Sequence, residues 1–162
     1  MSAVTRFDTD AWGSTTNQEP RTTDPFVPHV VAWNLTRRCN LQCTHCYISA
    51  GPWETAEAEL DTATCRRIVD ELIALNPAPM LILSGGEPLA RDDLAQIAGY
   101  AVERGATVVV GTNGTLLTDD RIGALRTAGV SGVAVSVDSL RPERHNDFRG
   151  GRAALERTLH GI

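Results

Sequence analysis

The chain contains no lysine, and all fifteen of its basic residues are arginine. The arginines are scattered, so this reads first as a codon bias toward Arg and Ala. Also missing is any stretch near the ~20 apolar residues that cross a bilayer. The opening MSAVTRFDTDAWGSTTNQEP has no apolar run that could serve as a signal peptide. A basic patch is absent too: twenty acidic residues leave a formal charge of −5, which argues against general affinity for nucleic acid or anionic membrane. Neither a G-x-G-x-x-G fingerprint nor a P-loop occurs. These exclusions point to a cytoplasmic protein, where thiols stay reduced and clustered cysteines serve as metal ligands in preference to disulfides.

What is present is enough chain for one domain, 162 residues with 42% hydrophobic and 22% charged. Residues 1–28 are rich in Thr, Asp, Pro and Ser with no apolar period, and read as a disordered or extended leader before a core of 29–162. From Val30 a unit repeats. HVVAWNL, PMLILS, ATVVVGT and VSGVAVSVD read as strands, the last with Ser136 and Asp138 inside it on one face. LDTATCRRIVDELIAL reads as a helix capped by Asp61 or Thr62, with Ile68, Leu72 and Leu75 on one face. RDDLAQIAGYAVERG is a helix stopped by Gly105, TDDRIGALRTAG one capped by Thr118 and ended by Gly129, and RAALERTLHGI opens a fourth. RPERHNDFRGG reads as a solvated loop from which His145 and Arg149 pack near the mouth of the sheet. Apolar strands alternating with amphipathic helices signal an α/β fold with about four βα units of parallel sheet. A barrel segment and a doubly wound sheet are both open, and either gathers ligands at the carboxyl ends of its strands.

The unusual residues sit at those ends. Cys39, Cys43 and Cys46 are spaced C-x3-C-x2-C in the loop after the first strand. Iron–sulfur clusters are held by thiolates, usually four, so three would leave one iron of a four-iron cluster open to a cofactor or substrate. A structural zinc would want a fourth ligand, for which His45 or Cys65 is available. Cys65 reads more simply as a buried helix residue. Gly85 and Gly86 follow the second strand and let the backbone approach a ligand closely; with Glu87 they could clamp an ammonium or carboxylate, or form a plain turn with a helix-capping acid. Asn113-Gly114 is a turn signal. Ser136 and Asp138 need partners if buried, and could bond a ribose, an amino-acid moiety or a loop backbone.

Taken together, CNLQCTHC, GGEPL, TNG and the fourth-strand S-x-D resemble the motifs of radical S-adenosylmethionine (radical SAM) enzymes, in matching order over residues 30–162. The resemblance implies a partial (βα) radical SAM barrel. It implies that Cys39, Cys43 and Cys46 ligate a [4Fe–4S] cluster whose fourth iron is chelated by the amino and carboxylate groups of S-adenosylmethionine. It implies further cofactor contacts: His45 through its backbone to the adenine, Gly85, Gly86 and Glu87 to the methionyl ammonium, Ser136 and Asp138 to the ribose or carboxylate, and Asn113 at the third strand. WNLTRRCN, LILSGGEPL and HNDFRG look like the SPASM-type branch, most like its heme d1 biosynthesis members, with a tetrapyrrole or a peptide as substrate and a flavodoxin or ferredoxin as reductant. Ser139 stands where the family often has glycine, which bears on the local turn. The family barrel usually has six units, so the chain is expected to be truncated on its C-terminal side, with any auxiliary-cluster cysteines beyond residue 162. A non-catalytic zinc-binding α/β module is the alternative from another class.

Overall fold

The computed structural model describes residues 27–162, so nearly all of the expected leader lies outside the described residues. Four strands, β1 (Val30–Thr36), β2 (Met80–Gly85), β3 (Thr107–Thr112) and β4 (Gly132–Val135), alternate with α1 (Thr62–Leu75), α2 (Leu94–Glu103) and α3 (Asp119–Thr127). Two shorter helices, α4 (Pro142–Arg149) and α5 (Ala154–His160), follow. All four strands are parallel, in the order β1-β2-β3-β4. With right-handed crossovers, an unbroken order sends every connecting helix to one face. That is the winding of a barrel segment and not of a doubly wound sheet, and α1, α2 and α3 pack side by side along it. Among the described residues no helix is long and apolar enough to cross a membrane.

Strand periodicity sets the core. Leu81, Leu83, Val108 and Val110 are fully buried against the helices, where they meet Val69, Ile97, Ala98 and Ala101. The alternate residues Ile82, Ser84, Val109 and Gly111 face the other side and stay half-buried. Asp61, not Thr62, caps α1 by accepting from the Thr64 amide at 2.7 Å, and Thr118 caps α3.

Three sequence expectations are corrected. Leu75 is 57% exposed at the end of α1, whose buried line runs through Cys65 and Val69. β4 ends at Val135, so Ser136 and Asp138 lie beyond it and are exposed, and β4 itself is largely exposed, with β3 its one strand neighbour among the described residues. The charge run is a helix, α4, with Pro142 in its first turn and Gly150 as a left-handed cap. Glu143 near its start and Arg149 near its end complement the helix dipole, which is how so polar a segment holds together. His145 and Arg149 are buried in it, 1% and 8% exposed, as expected of those two.

Candidate functional site

The cysteine loop is built as a closed excursion from the end of β1. Its stem is pinned where the Cys39 amide donates to the Gly51 carbonyl and the Gly51 amide to that of Arg37. Below the stem lies a network that sequence reasoning missed. Arg38 grips Glu59 with two hydrogen bonds of 2.7 and 3.1 Å. Arg91, 6% exposed, binds Glu59, Asp93 and the carbonyls of Leu35 and Leu60. A bidentate guanidinium reaching two carboxylates and two carbonyls fixes the loop root to β1 and to the turn before α2. Burial pushes the Glu59 carboxyl up, but its bonds to Arg38 and Thr36 and the charge of Arg91 outweigh it and hold the group low. No spacing rule marks these residues, because the partners are distant in sequence.

Cys39, Cys43 and Cys46 are all half-buried. The Cys39 sulfur accepts from the Leu41 amide at 3.4 Å and from the Asn113 side-chain amide at 3.8 Å, and the Cys46 sulfur accepts from the Ala50 amide at 3.3 Å. Burial raises the pKa of the Cys39 and Cys43 thiols, and these N–H donors, with Arg149 beside Cys43, pull the other way. Amide donors on sulfur are the environment that thiolate ligands use, so metal binding here would displace protons. Neither candidate fourth zinc ligand joins the three. Cys65 is fully buried under α1 with its thiol on the Leu60 carbonyl, and the His45 ring stacks on Phe148 at 4.1 Å. Among the described residues no three His, Cys, Asp or Glu side chains converge as a single ion requires. Three half-buried thiols on one loop, two of them accepting N–H bonds, are a donor set that an iron–sulfur cluster takes.

The other strand ends close against this loop. The Gly86 and Glu87 amides donate to the Thr36 and Arg38 carbonyls, both at 2.8 Å. A Cβ at Gly85, whose φ is +135°, would run into the Thr36 carbonyl, and one at Gly86 into that of Arg38. The two glycines therefore let the end of β2 lie directly on the loop root. Glu87 is fully buried and its carboxylate accepts from the Thr112 hydroxyl (2.7 Å), the Asn113 amide (2.8 Å) and the Leu89 amide (3.1 Å). Burial raises its pKa against those three bonds. Asn113 links the β3 turn to the loop, its side-chain N–H donating to Asn40 at 3.0 Å while its side-chain oxygen accepts from Thr115.

At the end of β4 the Ser136 amide donates to the Thr112 carbonyl at 3.0 Å. The Asp138 carboxylate takes the Arg149 guanidinium, and its main-chain N–H reaches His145 Nδ1 at 3.4 Å. The structure thus brings Cys39, Asn113 and the Glu87 turn together on one side, and Cys43, Arg149 and Asp138 on the other. Phe148 and Asn40 are contributors that the sequence did not single out.

A family model described as the Radical SAM superfamily matches residues 33–162. An AdoMet-dependent heme synthase of Methanosarcina barkeri is 46% identical over 136 residues, 84% of this chain and 38% of that protein. A pre-heme d1 synthase of Dinoroseobacter shibae is 38% identical over 133 residues, 82% of this chain and 32% of that protein. The chain therefore spans a little over a third of the length of these relatives or somewhat less. The crystal structure of Streptococcus suis SuiB bound to S-adenosylmethionine superposes with a TM-score of 0.68 at 17% identity, over 82% of this chain and 30% of that one, and shares the fold.

Proposed function

The chain belongs to the radical SAM superfamily, and from that premise we propose that residues 29–162 are the cluster- and cofactor-binding core of an enzyme acting on a tetrapyrrole. The family's cofactors are a [4Fe–4S] cluster and S-adenosylmethionine. When bound, they supply a one-electron cleavage of the sulfonium to a 5′-deoxyadenosyl radical, which takes a hydrogen atom from substrate. The electron would come from a reduced flavodoxin or ferredoxin. A cytoplasmic setting suits this chemistry.

The observation that carries the reading is the loop itself: three half-buried thiols at a strand end, with N–H donors on the Cys39 and Cys46 sulfurs. Cys39, Cys43 and Cys46 would each hold one iron, and the cofactor's amino and carboxylate groups would take the open one. Gly85 and Gly86 bring main chain to the ammonium side. Glu87, already accepting three hydrogen bonds, would contribute by setting the ends of β2 and β3 and fixing where that main chain lies. The His45 backbone would meet the adenine, Ser136 and Asp138 would line the ribose and carboxylate side, and Asn113 would join them from β3. The tetrapyrrole class rests on the 46% identity to a heme synthase.

The test is anaerobic reconstitution with iron and sulfide, addition of S-adenosylmethionine and dithionite, and quantification of 5′-deoxyadenosine with tetrapyrroles bearing propionate side chains or with peptides. Formation that rises with a tetrapyrrole supports the proposal. Formation that rises only with peptides would replace it by the peptide-maturase reading.

A further inference from the structure

Cys43 is clasped between two main-chain hydrogen bonds to the end of α4. The Gln42 amide donates to the Arg149 carbonyl at 3.2 Å and the Thr44 amide to the Phe148 carbonyl at 3.0 Å. This clasp sets Arg149 opposite Cys43. A Cβ at Gly150 would collide with the Gln42 carbonyl, so the residue after Arg149 must be small for the loop and helix to meet. The Arg149 side chain is only 10% exposed and is ion-paired through Nε to the Asp138 carboxylate, itself 29% exposed. Asp138 is steadied by its main-chain N–H, which donates to His145 Nδ1 at 3.4 Å. The two main-chain bonds on either side of Cys43 and the ion pair to Asp138 together hold the guanidinium at the Cys43 end of the loop. The helix, the clasp and the ion pair together carry a permanent cation to one corner of the cysteine loop.

We propose that Arg149 sets the reduction potential of the iron–sulfur cluster, with Asp138 as the opposing charge that holds and tempers it. The inference rests on the cluster reading above. Reduction by one electron from an external reductant adds a negative charge to a centre already bearing three thiolates. A guanidinium stays charged at any working pH, and in a poorly solvated corner it stabilises that added charge and raises the potential. Charges and hydrogen bonds at the ligating sulfurs are levers on cluster potential. A carboxylate at the same corner acts with the opposite sign. Arg149 is on this account a positioning and tuning residue that touches a ligand and not the substrate.

The experiment is an EPR-monitored potentiometric titration of the reconstituted chain without S-adenosylmethionine. It compares wild type with Arg149→Gln, Arg149→Lys and Asp138→Asn at matched iron content. The expected result is a midpoint more negative for Arg149→Gln, intermediate for Arg149→Lys, and more positive for Asp138→Asn. Midpoints equal to wild type in both Arg149→Gln and Asp138→Asn would overturn the proposal, and so would shifts of the same sign, which a merely loosened loop would give. If Arg149→Gln takes up no cluster, the sign of the Asp138→Asn shift decides. A wild-type chain that takes up no iron would overturn the cluster reading itself, whereas equal potentials in loaded variants overturn this inference alone.

Discussion

The ends of β2 and β3 and the end of β4 carry the same kinds of residue, yet they are finished to different degrees. At the first pair, Glu87 and Asn113 are 0% and 6% exposed; the Glu87 carboxylate accepts from Thr112, Leu89 and the Asn113 main-chain N–H, and the Asn113 side chain bonds Thr115 and Asn40. At β4, Ser136 and Asp138 are exposed, and the strand pairs on one side only. Leu83, Val110 and Val133 share one register row, with the first two fully buried and Val133 40% exposed. The ends of β2 and β3 thus fix the cysteine loop at its root and at Cys39, while the β4 side holds it at Cys43 through α4, Arg149 and Asp138.

The largest effects should come from breaking that row at its buried end. Leu83→Ala is expected to cost about 3 kcal/mol, as buried leucine truncations do. Val133→Ala should cost no more than about 0.5 kcal/mol, the usual range for exposed sites. Equilibrium urea unfolding reads both, and equal costs would erase the distinction. Glu87→Ala strands a hydroxyl and two amides in the interior and should cost about 2 kcal/mol, with a lowered Tm. Glu87→Gln keeps one acceptor oxygen and should cost less.

Glycines sharpen the same contrast. Gly86→Ala drives a methyl into the Arg38 carbonyl and should lower stability and cluster uptake together, measured by thermal unfolding and iron content. Gly132→Ala in β4 meets no atom within 4 Å and should be neutral to stabilising by about 0.5 kcal/mol.

The smallest effect is a pH dependence at the loop root. The Arg91 guanidinium beside Asp93 holds that carboxyl below its usual range, and Glu59 is also low. A carboxyl with a depressed folded pKa contributes stability above its unfolded value of about 4 and loses it as pH falls through the folded one. Tm should therefore drop on acidification from about pH 4 downward, and Asp93→Asn should flatten that limb. Glu87, raised by burial, acts with the opposite sign and in a different window, costing stability as pH rises above about 4. An unchanged acid limb in Asp93→Asn would remove the root network from the account.

Much of this was legible in the residues. Strand and helix periods, the caps at Asp61 and Thr118, and the spacing of Cys39, Cys43 and Cys46 are local signals, and local signals survive folding. What was not legible depends on neighbours. Leu75 lies on an apolar helical stripe, but it is the last residue of α1 and is exposed, while the buried line runs through Cys65 and Val69. β4 reads as a buried strand because Val and Ala suit one, and only strand order shows that it is an edge. α4 was hidden by its charge, although Pro142, Glu143 and Arg149 in their dipole-matched places were a readable sign. The Arg38–Glu59–Arg91–Asp93 network joins residues up to 55 positions apart in numbering, which no motif records.

The central claim is that three loop cysteines hold a cluster with one iron left for S-adenosylmethionine. The direct test is EPR of the anaerobically reconstituted, dithionite-reduced chain, with and without that cofactor, in wild type, Cys43→Ala and Cys65→Ala. A [4Fe–4S]⁺ signal that shifts on adding the cofactor, survives in Cys65→Ala and vanishes in Cys43→Ala is the predicted result. Stoichiometric zinc in place of iron, or loss of the signal in Cys65→Ala, would contradict it.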